Sequence, residues 1–245
     1  MKVVYLVSYP RSGNTWLRFL LYNYIWADLK HSSQVENAIP DLHHLETQGK
    51  LLNLIENDDQ FTIVKSHYQY FEDYPYIEKA IGFIYLVRNP RDITMSSFRT
   101  FNRYTEEVVN DIQYCGLPKN SRRFTGNWTN HICSWLKAKN KIPGLFIKYE
   151  DLRENPEKVL RRVIEFIGLS VEESRIANAI NLSRIELMKN MEINEEKDKN
   201  SILSHPGIHF INEGKSNQPL EEVSYDIDKA YRKEFSGVAG LFGYA

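Results

Sequence analysis

The chain has 245 residues and is 42% hydrophobic, which suits a single domain spanning 1–245 with a substantial core. With 31 basic and 32 acidic residues the formal net charge is −1, so we expect neither a nucleic acid partner nor binding to anionic lipid. Cys115 and Cys133 are too few for a disulfide framework, and no Cys/His spacing fits a zinc site. Any anion-binding site must be built locally.

The beginning of the chain enters an apolar run directly, without a basic segment followed by a long apolar stretch. No run of about 18 apolar residues occurs anywhere. We therefore expect a cytoplasmic protein without a membrane partner. The sequence does not indicate an oligomeric state.

Short, nearly continuous apolar runs predict strands at 3–8, 60–65, 82–87 and 144–148. Strands of this kind are typical of a parallel sheet that is covered on both faces. Helical spacing of apolar residues between these runs predicts helices at 14–27, 91–103 and 127–140. The alternation predicts an α/β fold with a central parallel β-sheet flanked by helices.

The last hundred residues carry mainly helix signals. Asn155-Pro156 predicts an N-cap followed by proline at the first helical position. Two further helices are predicted to open with capping boxes: Ser170 with Glu173, and Ser183 with Glu186. The polar, proline- and glycine-containing segment 192–219 is predicted to be a flexible loop or lid within the domain.

The first predicted strand runs into a polar loop and then a helix. The loop reads Ser8-Tyr9-Pro10-Arg11-Ser12-Gly13-Asn14-Thr15-Trp16. Such a turn presents free backbone N–H groups at a helix N-terminus, where the helix dipole also favours an anion. Gly13 permits close approach and Arg11 adds a fixed charge, although a Walker A motif would need lysine after its second glycine. The pattern predicts a phosphate loop; the alternative is a polar turn with Trp16 as ordinary core.

The second strand ends in Lys65-Ser66-His67. In parallel α/β sheets, ligands bind beyond the carboxyl ends of the strands, and alternation places Lys65 and His67 on the same side. A histidine can take a proton near neutral pH while a neighbouring cation stabilises a departing oxygen. The alternative is a surface lysine beside a structural histidine.

The third strand ends in Arg88-Asn89-Pro90-Arg91-Asp92, and Ser96 lies in the helix that follows. Arginine makes bidentate contacts to phosphate oxygens, so Arg88 and Ser96 are candidates to hold a second phosphate. The alternative is an ordinary ion pair, of Arg91 with Asp92 or of Arg88 with Glu150. Three strand ends with anion-binding groups together predict a ligand that has two separate phosphate-like ends.

These segments resemble the cytosolic-type sulfotransferase family, and the resemblance covers essentially the whole chain. The family's Y-P-K-S-G-T-T-W loop is similar to 9–16, its K-T-H segment to 65–67, and its R-N-x-x-D-x-x-x-S segment to 88–96. Its G-S-W-x-x-H-x-x-x-W segment is similar to 126–135 and its Y-E-D-L segment to 149–152. The resemblance implies the P-loop-like sulfotransferase fold.

The resemblance also implies a reaction. A sulfuryl group would pass from 3′-phosphoadenosine 5′-phosphosulfate (PAPS) to a hydroxyl, or an amine, of a small-molecule acceptor, leaving 3′-phosphoadenosine 5′-phosphate (PAP), by direct in-line transfer and without a metal. His67 would be the general base, with Lys65 and Arg11 supporting the developing charge. The implied nucleotide-binding residues are Arg11, Ser12, Gly13, Asn14, Thr15, Trp16 (stacked on adenine), Arg88 and Ser96 (on the 3′-phosphate) and Tyr149 (on the adenine edge).

One segment of this chain departs from the family's pattern. The usual R-K-G-x-x-G-D-W, which supplies an arginine to the 3′-phosphate, is matched only weakly by residues 212–218. Lys215 is the candidate to replace the lost charge, with Arg122 or Arg123 as alternatives.

Two other functions remain open from sequence: a P-loop kinase that uses ATP and Mg²⁺, and a non-catalytic module that binds an adenine nucleotide. For a sulfotransferase, a small natural product or metabolite is the expected acceptor. Glu72 and Asp73, beside an aromatic cluster, would suit a cationic acceptor; aromatic residues in 68–76 and 98–104 are candidates to line its pocket or to pack in the core.

Overall fold

The computed structural model describes residues 2–48, 61–101, 105–204, 211, 214 and 225–244. Within these ranges a four-stranded sheet has the order β2-β1-β3-β4, and every neighbouring pair is parallel. The strands are β1 Val3–Ser8, β2 Thr62–Ser66, β3 Ala80–Val87 and β4 Gly144–Lys148. This arrangement confirms the predicted central parallel sheet; residue 60 of the predicted second strand lies outside the described residues.

Helices cover both faces of the sheet, as the continuous apolar strands predict. Their bounds are α1 Asn14–Ile25, α2 Ser32–Ala38, α3 Leu42–Thr47, α4 Pro90–Phe101, α5 Thr105–Asn110, α6 Trp128–Ala138, α7 Tyr149–Glu154, α8 Pro156–Phe166, α9 Glu173–Leu182, α10 Ile185–Asn194 and α11 Tyr225–Gly240. Short 3₁₀ turns occupy Ile77–Lys79, Ile112–Tyr114 and Lys119–Ser121.

Strand β1 divides the core because successive side chains of a strand point to opposite faces. Its odd-numbered residues join a cluster with α4, α6 and α11, whereas Val4 and Leu6 join a cluster with α1, α8 and α9. Every side chain of β1 is buried. Strand β1 is therefore held by packing on both faces. This packing fixes the position of Ser8, from which the following loop leaves the sheet.

The strand ends lie in register at one edge of the sheet. Val7 of β1 is aligned with Ser66 of β2 and with Tyr85 of β3, and Ser8 is aligned with Leu86. The segments that follow β1, β2 and β3 therefore leave the sheet side by side. This placement brings together the three motifs that lie far apart in the sequence.

The helix signals were only partly right. Asn155 caps α8 as predicted, since its side chain accepts a hydrogen bond from the Lys158 backbone N–H at 2.9 Å. The two predicted capping boxes are wrong. Helix α9 has Glu172 at its N-cap and α10 has Arg184, neither with a side-chain cap, so both serines precede the capping position. The Ser170 carbonyl accepts from Tyr24, and the Ser183 hydroxyl accepts from Asn23.

The segment 192–204 is also more ordered than the predicted loop. Helix α10 continues to Asn194, and the buried Glu195 carboxylate then accepts hydrogen bonds from the Ser32 backbone and from the Ser201 hydroxyl. Most of the remainder of 192–219 lies outside the described residues. Among the described residues, no helix combines the length and apolar character that crossing a bilayer requires.

Candidate active site

The loop between β1 and α1 has the geometry of an anion cradle. Arg11 and Gly13 both adopt left-handed backbone conformations, with φ of 67° and 93°, and the first intrahelical hydrogen bond of α1 runs from the Leu17 N–H to the Gly13 carbonyl. The N–H groups of residues 14–16 precede that bond and point out of the helix N-terminus. The buried Ser12 hydroxyl has no hydrogen-bond partner among the described residues. The N–H groups of residues 14–16 fit a phosphate or sulfate, which would accept hydrogen bonds from them.

The third strand end lies directly against this loop. The Arg88 guanidinium donates from Nη1 to the Arg11 carbonyl at 2.8 Å, and Arg11 Nε donates to the Ser96 hydroxyl at 3.2 Å. Burial and the nearby Arg88 charge lower the pKa of Arg11 to about 10, so it stays cationic near neutral pH. Arg11, Arg88 and Ser96 thus form one cluster. A ligand with two anionic ends could span this cluster, because the residues come from neighbouring strand ends.

A cavity of about 490 Å³ opens over this cluster. Most of the predicted nucleotide-binding residues line it: Arg11, Gly13, Asn14, Thr15, Trp16, Arg88, Ser96 and Tyr149. Ile180, Ile185 and Met188 also line it, so part of its wall is apolar. Of the other predicted residues, Ser12 lies behind the loop and Lys215 lies outside the described residues.

Trp16 and Tyr149 form the wall where an adenine was expected. Their rings meet edge to face with centroids 6.2 Å apart, and the Trp16 indole donates to the Ser183 carbonyl at 3.0 Å. The Tyr149 ring lies 4.3 Å from the Arg88 guanidinium, and its hydroxyl donates to the Gly214 carbonyl at 3.1 Å. Because that hydroxyl already has a protein acceptor, its contact with an adenine edge stays a prediction.

Three arginines in this cavity were missed by the sequence analysis: Arg99, Arg153 and Arg184. Arg99 lies three residues after Ser96 on α4, which places the two side chains on the same face of that helix. The spacing of an arginine behind the R-N-x-x-D-x-x-x-S segment was the available signal. The alternatives Arg122 and Arg123 do not line this cavity: Arg122 pairs with Asp111 at 2.8 Å, and Arg123 lines a different cavity.

His67 is held in one orientation. Its Nδ1 lies 2.6 Å from the Ser8 carbonyl, which can only accept, so Nδ1 donates and Nε2 carries the lone pair. Burial and the neighbouring Lys65 charge lower the pKa of His67 well below the ordinary value. The imidazole is therefore neutral near pH 7 and its Nε2 can accept a proton.

Helix α6 fixes the backbone at this histidine and at the residue that follows it. His131 donates from Nε2 to the His67 carbonyl at 3.1 Å, and the Trp135 indole donates to the Tyr68 carbonyl at 2.9 Å. Burial lowers the pKa of His131 to about 3, so it is neutral and its Nδ1 accepts from the Tyr85 hydroxyl at 2.7 Å. His131 and Trp135 thus fix the backbone that carries His67.

Lys65 is buried and forms an ion pair with Asp41, a residue that the sequence analysis did not single out. Burial lowers the pKa of Lys65, and the Asp41 charge opposes that effect. Although burial acts to raise it, the pKa of Asp41 is held well below its usual range by the Lys65 ammonium. Asp41 precedes α3 and caps it by accepting from the His43 N–H at 3.0 Å, so the pair is fixed from both ends.

A second cavity, of about 1200 Å³, lies on the other side of His67. Both Lys65 and His67 line it, in agreement with the prediction that their side chains point to the same side of the extended segment. The two cavities share Arg11, Thr15 and His67. His67 therefore lies at the junction between a cationic cavity with a partly apolar wall and a larger cavity that can receive a second molecule.

The expected cationic acceptor loses its basis in the structure. Glu72 pairs with Lys141 at 3.3 Å on the protein surface, and neither Glu72 nor Asp73 lines the second cavity. Of the aromatic residues considered for a pocket, Tyr68 and Phe101 line it, whereas Tyr74 packs in the core. Tyr104 lies outside the described residues.

Comparisons with known proteins agree with this geometry. A family model described as "Sulfotransferase domain" matches residues 2–238. Sulfotransferase 1B1 of Canis lupus familiaris is 26% identical over 98% of this chain and 85% of its own length. Flavonol 4′-sulfotransferase of Flaveria chlorifolia is 26% identical over 95% of this chain and 79% of its own length.

Solved structures show the same fold. Mouse sulfotransferase SULT7A1 complexed with PAP superposes with a TM-score of 0.69 at 21% identity, covering 99% of this chain and 87% of that one. Retinol dehydratase in a complex with retinol and PAP gives 0.68 at 18% identity, covering 98% and 82%. With the family model matching nearly its whole length, the chain belongs to the sulfotransferase family and is an enzyme of PAPS-dependent sulfuryl transfer.

Proposed function

We propose that this enzyme transfers the sulfuryl group of PAPS in line to a hydroxyl of a small-molecule acceptor, with His67 as the general base. The observation that carries the proposal is the position of His67. It lines both cavities, and its Nδ1 is committed to the Ser8 carbonyl, which leaves Nε2 as the ring nitrogen available to a substrate. An amine acceptor would use the same base.

The donor belongs in the first cavity. There the loop N–H groups and Arg11 can hold the 5′-phosphosulfate against the N-terminus of α1. Arginine keeps its proton, so Arg11 acts by charge and by hydrogen bonds and not as a proton donor. Preorganised donors of this kind stabilise the charge that develops on the departing phosphate oxygen.

The acceptor belongs in the second cavity, with its hydroxyl at His67. Nε2 takes the hydroxyl proton as the acceptor oxygen bonds to sulfur and the bond between sulfur and the phosphate oxygen breaks, releasing PAP. The buried Lys65 lies beside this reaction, and its ion pair with Asp41 keeps the ammonium charged at a position where burial would favour its neutral form. The residues need no covalent intermediate and no metal for this step.

We also propose that Arg99 supplies the charge that the altered 212–218 segment no longer provides to the 3′-phosphate. It lies on the face of α4 that carries Ser96, in the cavity that Arg88 lines. A third cation at this end of the cavity suits a dianionic phosphate, because arginine presents several N–H donors in a fixed plane.

The test of the base is His67→Ala, assayed with PAPS and a panel of phenols and alcohols by mass spectrometry of the sulfated products. We expect turnover to fall by about 10²–10⁴-fold, the usual effect of removing a general base. PAP affinity by calorimetry should stay within about twofold, since His67 borders the donor cavity without a charged contact to it. His44→Ala, at a half-exposed histidine whose side chain pairs with Glu36, is the matched control. Near-normal turnover of His67→Ala would remove the base assignment.

A further inference from the structure

Two carboxylates are found among the described residues that line the second cavity, and both are already saturated by the protein. Glu36 accepts from Arg18 at 2.7 Å, from His44 at 3.0 Å and from the Asp41 N–H at 3.0 Å. Asp41 accepts from Lys65 and from the His43 N–H. Neither carboxylate is available to bind a cationic acceptor.

Two cationic side chains in the same cavity, unlike these two carboxylates, are not paired with an opposite charge in the described ranges. Arg123 and Lys199 both line it, and neither has an acidic partner within the described part of the chain. The Arg123 guanidinium lies 4.9 Å from the Phe124 ring centre. Lys199 projects from the turn that Glu195 ties to Ser32, so its backbone is anchored although its side chain reaches solvent. The cavity therefore carries unneutralised positive charge on its described walls.

Two aromatic side chains, Tyr68 and Phe124, line the same cavity as these cations and His67. Phe124 is 39% exposed, and it stacks on Tyr68 with ring centres 4.6 Å apart at 28°. Tyr68 follows His67 in the chain and its hydroxyl is fixed by His43 and Glu46. A flat ring can stack here while a hydroxyl on it reaches His67.

We infer that the acceptor is a hydroxylated aromatic compound that carries a second, anionic group, such as a carboxylate, sulfate or phosphate, which Arg123 and Lys199 attract. The inference rests on the proposed function, because it assigns the second cavity to the acceptor. The saturated carboxylates, the two unneutralised cations and the exposed ring together distinguish this acceptor from a neutral or a cationic phenol.

The experiment compares three phenols that differ only in the group remote from the hydroxyl: 4-hydroxyphenylacetate, 4-hydroxyphenylacetamide and the quaternary ammonium analogue of tyramine. Each is assayed for sulfation from PAPS, and kcat/KM is measured at low and at high NaCl. Wild type should favour the acid over the amide by about fivefold or more, since each exposed ion pair contributes a factor of about two to five. The ammonium compound should be the poorest, and the preference should shrink at high salt.

Variants assign the effect to the two cations. Arg123→Ala and Lys199→Ala should each lower the ratio of kcat/KM for the acid to kcat/KM for the amide about two- to fivefold. Arg123→Lys should retain most of the preference. Lys197→Ala, an exposed lysine two positions away that does not line the cavity, is the matched control and should change nothing.

The outcomes separate this inference from the proposed function. Equal kcat/KM for the acid and the amide, or faster sulfation of the ammonium compound, would overturn the anionic acceptor while His67→Ala still loses turnover. No sulfation of the three phenols by an enzyme that sulfates other members of the panel would overturn the acceptor class alone. A preference for the acid that survives removal of both cations would overturn their role.

Discussion

Replacing Gly13 by alanine tests the contact on which the donor cavity depends. A Cβ at this position would lie 2.6 Å from two carbons of the Tyr149 ring, and the residue has a φ of +93°. The ring would have to retreat by about 1 Å to reach an ordinary carbon–carbon separation. The Arg88 guanidinium lies over the Tyr149 ring, 4.3 Å from its centre. Movement of this ring would therefore also move Arg88, which is predicted to bind the 3′-phosphate.

The expected loss of stability in Gly13→Ala is the sum of two contributions. A left-handed backbone costs an alanine about 1–2 kcal/mol, and overpacking against a buried ring adds about 1–3 kcal/mol. For 245 residues, 1 kcal/mol corresponds to about 2 °C in Tm. Gly168→Ala is the matched control, because its φ is +80° and nothing lies within 4 Å of the point that a Cβ would occupy, so it carries only the backbone cost.

Thermal unfolding and calorimetry with PAP give the two readouts. We expect Gly168→Ala to lose about 2–4 °C with normal PAP affinity, and Gly13→Ala to lose about 4–10 °C with PAP affinity reduced about tenfold or more. If the two variants have the same Tm loss and the same affinity for PAP, the close packing of the loop against Tyr149 does not exist as described.

Three further predictions concern charge and capping. The Lys65 charge is the second-largest cause, next to burial, of the lowered pKa of His67. Lys65→Met removes that charge, so the acid limb of the kcat/KM profile should move to higher pH. An acid limb that stays at the same pH or moves to lower pH contradicts this electrostatic role. Arg99→Ala should weaken PAP about tenfold or more by calorimetry and leave AMP, which lacks the 3′-phosphate, unchanged; equal losses for both nucleotides would place Arg99 elsewhere. Asn155→Ala removes the cap of α8 and should cost about 1 kcal/mol, near 2 °C in Tm, with unchanged activity; no shift would show that the hydrogen bond to the Lys158 N–H contributes nothing.

The sequence was sufficient for the parts of the site that depend on local chain geometry. A strand, a loop with Gly13 and a following helix predict free N–H groups at one point, because those groups belong to consecutive residues. The spacing of Arg88 and Ser96 predicts two side chains at one strand end for the same reason. The continuous apolar strands likewise predicted a sheet buried on both faces, which Val4 and Val7 confirm by packing into opposite clusters.

Local signals failed where tertiary contacts competed for the same groups. Ser183 had the spacing of a capping residue, but its hydroxyl accepts from Asn23 and its carbonyl from Trp16. Glu195 sits in a segment whose composition indicates a loop, yet its carboxylate ties that segment to Ser32. In both cases a partner distant in the chain determined the local structure.

The sequence by itself determined the sheet, the phosphate loop and the identity of the residues at the strand ends, since these follow from periodicity and short spacings. Only the tertiary structure decided which nitrogen of His67 is available, that Asp41 pairs with Lys65, and that Arg99 enters the donor cavity. Those properties depend on the Ser8 carbonyl, on the start of another helix and on the packing of α4. Hydrogen bonds and ion pairs between residues far apart in the chain leave no mark on local spacing, so they are decided only when the elements pack.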